Sequence, residues 1–423
     1  MLSSVADQLR GSRTLMADRN FSLLMGGQVV SQIGENLNRV ALFWFVYLYS
    51  HRVTDMVIVG ILQTLPPLLF GWLNGVLLDR HSKKWIMIGV DLARGVLVLL
   101  IPLLFFFHLL SLPLLYVLVF VIATMSGVFG PALYSAIPLI VEKPLLLSAN
   151  ALMQTTGQIG LLAGPLLGGV LAALWNPSGE MAINAATFFA SAAFLLFMKV
   201  PETPSRARGF HGRGIAAEVR EGIRFVFDPC QKLVGPFFFM ALYGLVTGPM
   251  NILLLVLSRH VLNRGAQGFG ELISAFGIGM LISSLLLTVY RPKNIVSFVV
   301  GGYSLAGILF LAIGEVDSLP LDILLFAFWG AAVSIVNPLS QTLIGHIAPP
   351  HLLARVMTVM SIGFLLGIIL GMLLFPTLIP RIGIPDVFET MGLTLLIPVS
   401  WILARGLLKQ RGSLGRTLSE NDR

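Results

Sequence analysis

The sequence predicts an all-α integral membrane protein: twelve transmembrane helices in two pseudo-symmetric six-helix bundles, with both termini in the cytoplasm. Three observations carry this. Of 423 residues, 56% are hydrophobic and only 11% charged, against about 25% charged in an ordinary soluble domain, and the mean hydropathy is +0.88. The apolar residues come in blocks of about 18 or more, enough for a helix to cross the hydrocarbon, and they lack the alternation of barrel strands. Finally, the chain repeats itself on either side of one long polar stretch. A water-soluble enzyme is excluded, because so few polar side chains could not cover its surface.

The first apolar block, residues 21–50, is longer than the roughly 7 to 15 residues of a signal-peptide core, so no cleaved leader is expected. Apolar blocks between polar breakers give spans at 21–49, 55–78, 85–107, 112–139, 145–174 and 180–198. Then comes the polar stretch from Pro201 to Asp228, with Arg206, Arg208, Arg213, Arg220 and Arg224. Within it Ala216, Val219, Ile223 and Val226 recur at helical spacing among charged residues, and Asp228-Pro229 ends the pattern. This predicts a short amphipathic helix on the membrane surface. Further spans follow at 235–257, 268–290, 295–314, 319–336, 352–378 and 388–408. The expected division is a bundle at 1–200, a central loop at 201–232, a second bundle at 233–410 and a polar tail at 411–423. Setting Pro131 against Pro338 also aligns Ile137 with Ile344, Met153 with Met360, Gly160 with Gly367 and Gly164 with Gly371. Two related halves of this kind are a transporter pattern.

A net charge of +8 would point to nucleic acid in a soluble protein, but here the placement of the charges makes it a topology signal. With twelve spans, 22 of the Lys and Arg residues fall on the side of the termini and the central loop, and four on the other, Arg52, Arg259, Arg264 and Arg381. By the positive-inside rule the first side is the cytoplasm. Arg39 and Arg94 fall inside spans. Cys230 is the only cysteine, so neither an internal disulfide nor a cysteine metal site is expected. The sequence has no Walker A string, no cofactor is expected, and no nucleic acid.

The second span ends in Gly75-Val-Leu-Leu-Asp79-Arg80-His81-Ser82-Lys83-Lys84. Positive-inside anchoring explains Arg80, Lys83 and Lys84 but not Asp79. The string resembles the loop signature of the major facilitator superfamily, with Ser82 in place of its last glycine. By that resemblance Gly75 permits close helix approach, and Asp79 caps the eleventh span to stabilise the outward-facing state. The fifth span holds Gly160-x-x-x-Gly164-Pro165-x-x-Gly168-Gly169, with Gly157 one turn earlier. Any close helix contact could use such a face, yet the full string resembles the fifth-helix motif of the drug:proton antiporters. Gly26-Gly27-Gln28, Ser31-Gln32-Ile-Gly34-Glu35, Asp91-Leu92 and Pro131-Ala132-Leu133 are similar to the macrolide-efflux branch. The second half is less diagnostic, since its loop at Arg291-Pro292-Lys293 lacks the acid. The resemblance implies a monomer in a bacterial cytoplasmic membrane, working with the lipid bilayer, a small-molecule substrate and protons.

Gln28, Ser31, Gln32, Glu35 and Arg39 fall on one face of the first span. A polar stripe in hydrocarbon is costly unless it faces a cavity or a partner. Glu35 lies about 21 Å into the span at 1.5 Å per residue, near mid-membrane. It either pairs with Arg39 one turn on or lines a cavity as a carboxylate for a proton or a cationic group. Asp91 and Arg94, three residues apart on the third span, read as a structural ion pair near the gate. Tyr243, Thr247 and Asn251 on the seventh span, and Trp329 and Asn337 on the tenth, are candidate cavity residues, because the resemblance puts those helices around the central pathway. The expected function is export of a hydrophobic or amphipathic small molecule, drug-like or macrolide-like, by alternating access with proton antiport. A siderophore or metabolite exporter, a lysolipid flippase-like transporter and a non-transporting membrane sensor are the alternatives.

Overall fold

The structure, a computed structural model, describes residues 13–421 apart from 72–76, 79–80, 175–176, 201–211, 229–232, 290–293, 317 and 350. The described residues form helices: α1 Arg19–Ser50, α2 Val53–Phe70, α3 Lys83–Phe106, α4 Leu112–Ile140, α5 Leu146–Leu174, α6 Pro177–Phe197, α7 Gly212–Val226, α8 Val234–Thr247, α9 Met250–His260, α10 Gly265–Val289, α11 Ile295–Glu315, α12 Leu319–Ile347 and α13 Leu353–Asn421. Nine helical stretches among the described residues are long and apolar enough to cross a membrane, α8 and α9 counting together as one. The stretch at Leu353–Ser400 covers two of the expected spans, and Gly383, at φ 85° and ψ 170°, breaks the helix inside it.

Local sequence sets the helix ends. Asp18 accepts a hydrogen bond from the Phe21 amide at 2.8 Å and starts α1, and Asn294 does the same for Ser297 at α11. Large apolar side chains on the helices stay exposed, among them Val117, Leu285, Leu286 and Ile397. In water such a surface would aggregate, whereas in hydrocarbon it is solvated.

The chain forms two compact units, Met1–Glu221 with Pro249–Gly277, and Gly222–Gly248 with Ile278–Arg423. This differs from a division at residues 201–232, because α9 and the first half of α10 pack with the first six helices. In unit 1, α1 lies against both α5 and α6, α3 against α6, and α2 against α4. Glycines bring α1 and α5 together. A Cβ on Gly160 would come within 2.7 Å of the Gln32 carbonyl oxygen, and one on Gly164 within 2.6 Å of the Asn36 Cβ. Gly169 in turn meets Gln267 and Gly270 at the start of α10.

In unit 2, α13 packs against α8 and α11, and α11 against α12. Gly367 and Gly371 meet the carbonyls of Ala241 and Leu245 on α8. The glycines that align at Gly160 and Gly164 thus bring together the equivalent pair of helices in the other unit, which gives the sequence repeat a packing meaning. Helix α7 forms where its apolar spacing placed it, but its Val226 is fully buried in a cluster with Leu233, Ile344, Leu352, Val356 and Met360. One face of α7 is therefore docked on protein.

Candidate functional site

The polar face of α1 is graded along its length. Gln28 and Ser31 are buried, Gln32 is half-buried, and the Glu35 side chain is 40% exposed. That exposure is to two cavities within unit 1. One, with about 960 Å³ of empty space, is lined by Gln28, Gln32, Glu35, Arg94, Gln154 and Gln158 among others. The second, with about 1100 Å³, is lined by Glu35, Asn38, Arg39, Gln63 and Asn184 and by an apolar wall including Leu42, Ile101 and Phe188. Glu35 and Ser126 border both.

Arg94 fixes this junction. Its Nη2 donates to Asp91 Oδ1 at 2.5 Å, and its Nη1 lies 3.6 Å from Glu35 Oε2 and donates to Ser126 Oγ at 3.4 Å. The guanidinium sits between the rings of Phe129 and Phe188, at 4.8 and 4.2 Å from their centroids. Asp91 is fully buried and Arg94 is 2% exposed. Each charge has been taken out of water, which costs several kcal/mol unless a partner offsets it.

The expected Asp91–Arg94 pair is therefore present, whereas an ion pair from Glu35 to Arg39 is not. Glu35 turns to Arg94 on α3, and Arg39 has no carboxylate within 4 Å among the described residues. Arg94 is already immobilised by Asp91 and two rings, so pairing with it orders only one side chain. An exposed pair along one helix must order two.

Tyr243 is buried in unit 2 against Tyr303 and Phe364, and Trp329 is buried between Phe310 and Phe326. Thr247 donates its hydroxyl to the Tyr243 carbonyl, and Asn337 is exposed. Asn251 is half-buried in unit 1. Of the gating residues, Gly75, Asp79 and Arg80 lie outside the described residues. Lys84 donates to the Leu196 and Met198 carbonyls at 2.9 and 2.7 Å, capping the C-terminus of α6, and Lys83 opens α3.

Several polar residues escaped the sequence reading. Gln154 and Gln158 are spaced i,i+4 on α5, a second polar stripe that the glycines beside it overshadow. Asn38 is hidden beside Glu35, Asn36 and Arg39, off the stripe that the sequence singles out, and Gln63, Ser126 and Asn184 lie in mainly apolar runs and give little signal. Glu180 read as the boundary of the sixth span. It is fully buried, neither carboxylate oxygen has a hydrogen-bond partner, and Gly168 leaves room for it: a Cβ there would lie 3.4 Å from Oε2. At the end of α1, Tyr47 Oη lies 3.0 Å from His260 Nε2, and the Arg259 guanidinium lies over the Trp44 and Tyr47 rings. Among the described residues no three His, Cys, Asp or Glu side chains gather as a metal ion requires.

Residues 24–405 match the Major Facilitator Superfamily. The chain belongs to that superfamily. Its apolar helices make it a multi-pass membrane protein. It is similar to macrolide efflux protein A of Streptococcus pyogenes, 23% identical over 90% of this chain and 94% of the relative. It is also similar to the multidrug efflux pump Tap of Mycolicibacterium fortuitum, 24% identical over 89% of this chain and 93% of that one. Among solved structures, a POT family transporter in complex with 5-aminolevulinic acid superposes with a TM-score of 0.73 at 13% identity, over 90% of this chain and 95% of the other. The nucleoside transporter NupG gives 0.70 at 12%, over 90% and 98%. At such identities the structures speak for the fold alone. Glu35, Arg39, Asp91 and Arg94 all lie in unit 1, while unit 2 buries Tyr243, Tyr303, Trp329 and Asp322.

Proposed function

We propose that this major facilitator protein is a secondary active exporter of a hydrophobic or amphipathic small molecule across a bacterial cytoplasmic membrane. In this reading twelve spans form two six-helix halves that work by alternating access, and export is coupled to proton entry at Glu35. The names of the relatives, macrolide efflux and multidrug efflux, support the direction and the substrate class. One observation carries the coupling: Glu35 borders two cavities and shares its counter-ion, Arg94, with Asp91.

The chemistry follows from that sharing. A proton on Glu35 cancels its attraction to Arg94, and Arg94 then rests on Asp91 alone. The cavity wall gains a neutral carboxyl without leaving a buried cation bare, so the two protonation states differ in how the cavity is charged and not in whether the bundle holds together. A substrate that binds the two states with different affinity is thereby coupled to the proton, because linkage is reciprocal. Gly75 and Asp79 are proposed to act at the cytoplasmic gate in the way the family resemblance implies.

Proteoliposome flux tests this. Wild-type protein should accumulate an amphipathic substrate in the vesicle lumen when the lumen is made acidic, so that protons leave as substrate enters. Glu35→Gln, which holds the neutral form, should lose gradient-driven accumulation by at least about tenfold while keeping downhill exchange. Full accumulation in Glu35→Gln would remove Glu35 from the coupling, and no flux in wild type would leave the alternative of a non-transporting sensor.

A further inference from the structure

We propose that the chamber around Arg39 receives the carboxylate of an amphipathic anion; the inference rests on the export reading and names its substrate class. Arg39 and Glu35 both line this chamber, one turn apart on α1. Were they paired, the chamber would hold no uncommitted charge. They are not paired, because Glu35 is directed to Arg94 at 3.6 Å and Arg39 has no carboxylate within 4 Å among the described residues. The guanidinium is thus the charged group of this lining with no ion pair within 4 Å among the described residues, and the carboxylate of a ligand could supply one.

Three further features fit that ligand. A guanidinium offers a planar fork of donors that matches a carboxylate two bonds at a time. Asn38, Gln63 and Asn184 put amide groups on the same wall from α1, α2 and α6. Amides can donate to an anion that the guanidinium has already placed. The rest of the lining is apolar, with Leu42, Ile101, Val119 and Phe188, a surface for the hydrocarbon or aromatic body of an amphiphile. Head and body are therefore both provided for in a single chamber.

Arg39 feels the charge of Glu35 one turn away on α1 but makes no direct ion pair among the described residues. Arg94 already neutralises Asp91 and borders Glu35, and a cation in hydrocarbon without a fixed partner is costly to keep. A ligand carboxylate would give the guanidinium a direct partner.

The test uses the full-length protein in lipid nanodiscs and three dyes with one apolar body: dansylglycine, which is a carboxylate, the neutral dansylglycinamide, and the cationic dansylethylenediamine. Binding is read from dye fluorescence. Wild type should bind dansylglycine about tenfold or more tighter than the other two, the worth of one charge-assisted hydrogen-bonded contact. Arg39→Gln should lose that preference, and Arg39→Lys, which keeps the charge without the fork, should retain part of it. Gln63→Leu should weaken dansylglycine binding alone, and it gives a second variant should Arg39→Gln not fold by thermal melting. Equal affinity of wild type for the three dyes, or an undiminished preference in Arg39→Gln, overturns the inference. Flux separates this from the export reading. Anion preference without any flux in proteoliposomes keeps the binding site and removes the exporter, and export without anion preference does the reverse.

Discussion

Asp91 and Glu35 both contact Arg94, yet burial makes them unequal. Asp91 is fully buried at 2.5 Å from the guanidinium, whereas the Glu35 side chain is 40% exposed at 3.6 Å. Removing Asp91 strands a buried cation, so Asp91→Ala should lower stability by about 3 kcal/mol or more. Glu35→Gln should cost less than about 1 kcal/mol, as exposed pairs do. Denaturant unfolding of the two purified variants decides it; equal losses would mean that Arg94 leans on both acids alike. The sequence showed Asp91 and Arg94 as partners because a helix brings i and i+3 together wherever it occurs. It could not show that Glu35 would leave Arg39 for Arg94, since that depends on how α1 and α3 meet. Glu180 was invisible for a related reason: its position near a span end says nothing about what covers it.

At the scale of the helix, the glycine string on α5 looks uniform in sequence and is not uniform in space. A Cβ at Gly164 would come within 2.9 Å of the Ile33 carbonyl oxygen and the Leu37 amide nitrogen, backbone atoms that cannot move aside, whereas a Cβ at Gly157 would meet nothing within 4 Å. Gly164→Leu should therefore separate α1 from α5 and bring transport to background. Gly157→Ala should leave stability within about 0.5 kcal/mol of wild type. Size-exclusion profiles and flux of both variants check this, and a Gly164→Leu protein that transports normally would put that face of α5 against lipid. The helices themselves were legible, because long apolar blocks in a membrane have few alternatives to a helix. Less legible was the packing of α7. Its amphipathic spacing fits lipid and protein equally well, and it is the buried Val226, with Gly222 against the Arg355 backbone, that shows one face resting on protein.

For the molecule as a whole, the proposed topology can be read with a membrane-impermeant thiol reagent. Cys230, in the stretch at 201–232, should label only after the cells are opened. With Cys230→Ser as background, Asn263→Cys, exposed between α9 and α10, should label in intact cells. The reverse pattern would invert the orientation, and labelling of both from outside would break the twelve-span count.

Composition alone determined that this chain lives in a membrane, because no aqueous fold can hide so much apolar surface. Block length determined the helices, the Lys and Arg bias their expected orientation, and the repeated glycines the expectation of two related halves. These are properties of residues taken locally or in sum. Tertiary structure decided which carboxylate Arg94 shares, that Arg39 is left without one, and that residues 249–277 pack with the first six helices. Spacing along a helix fixes which residues share a face, but which face meets which neighbour is set by close packing between segments far apart in the chain.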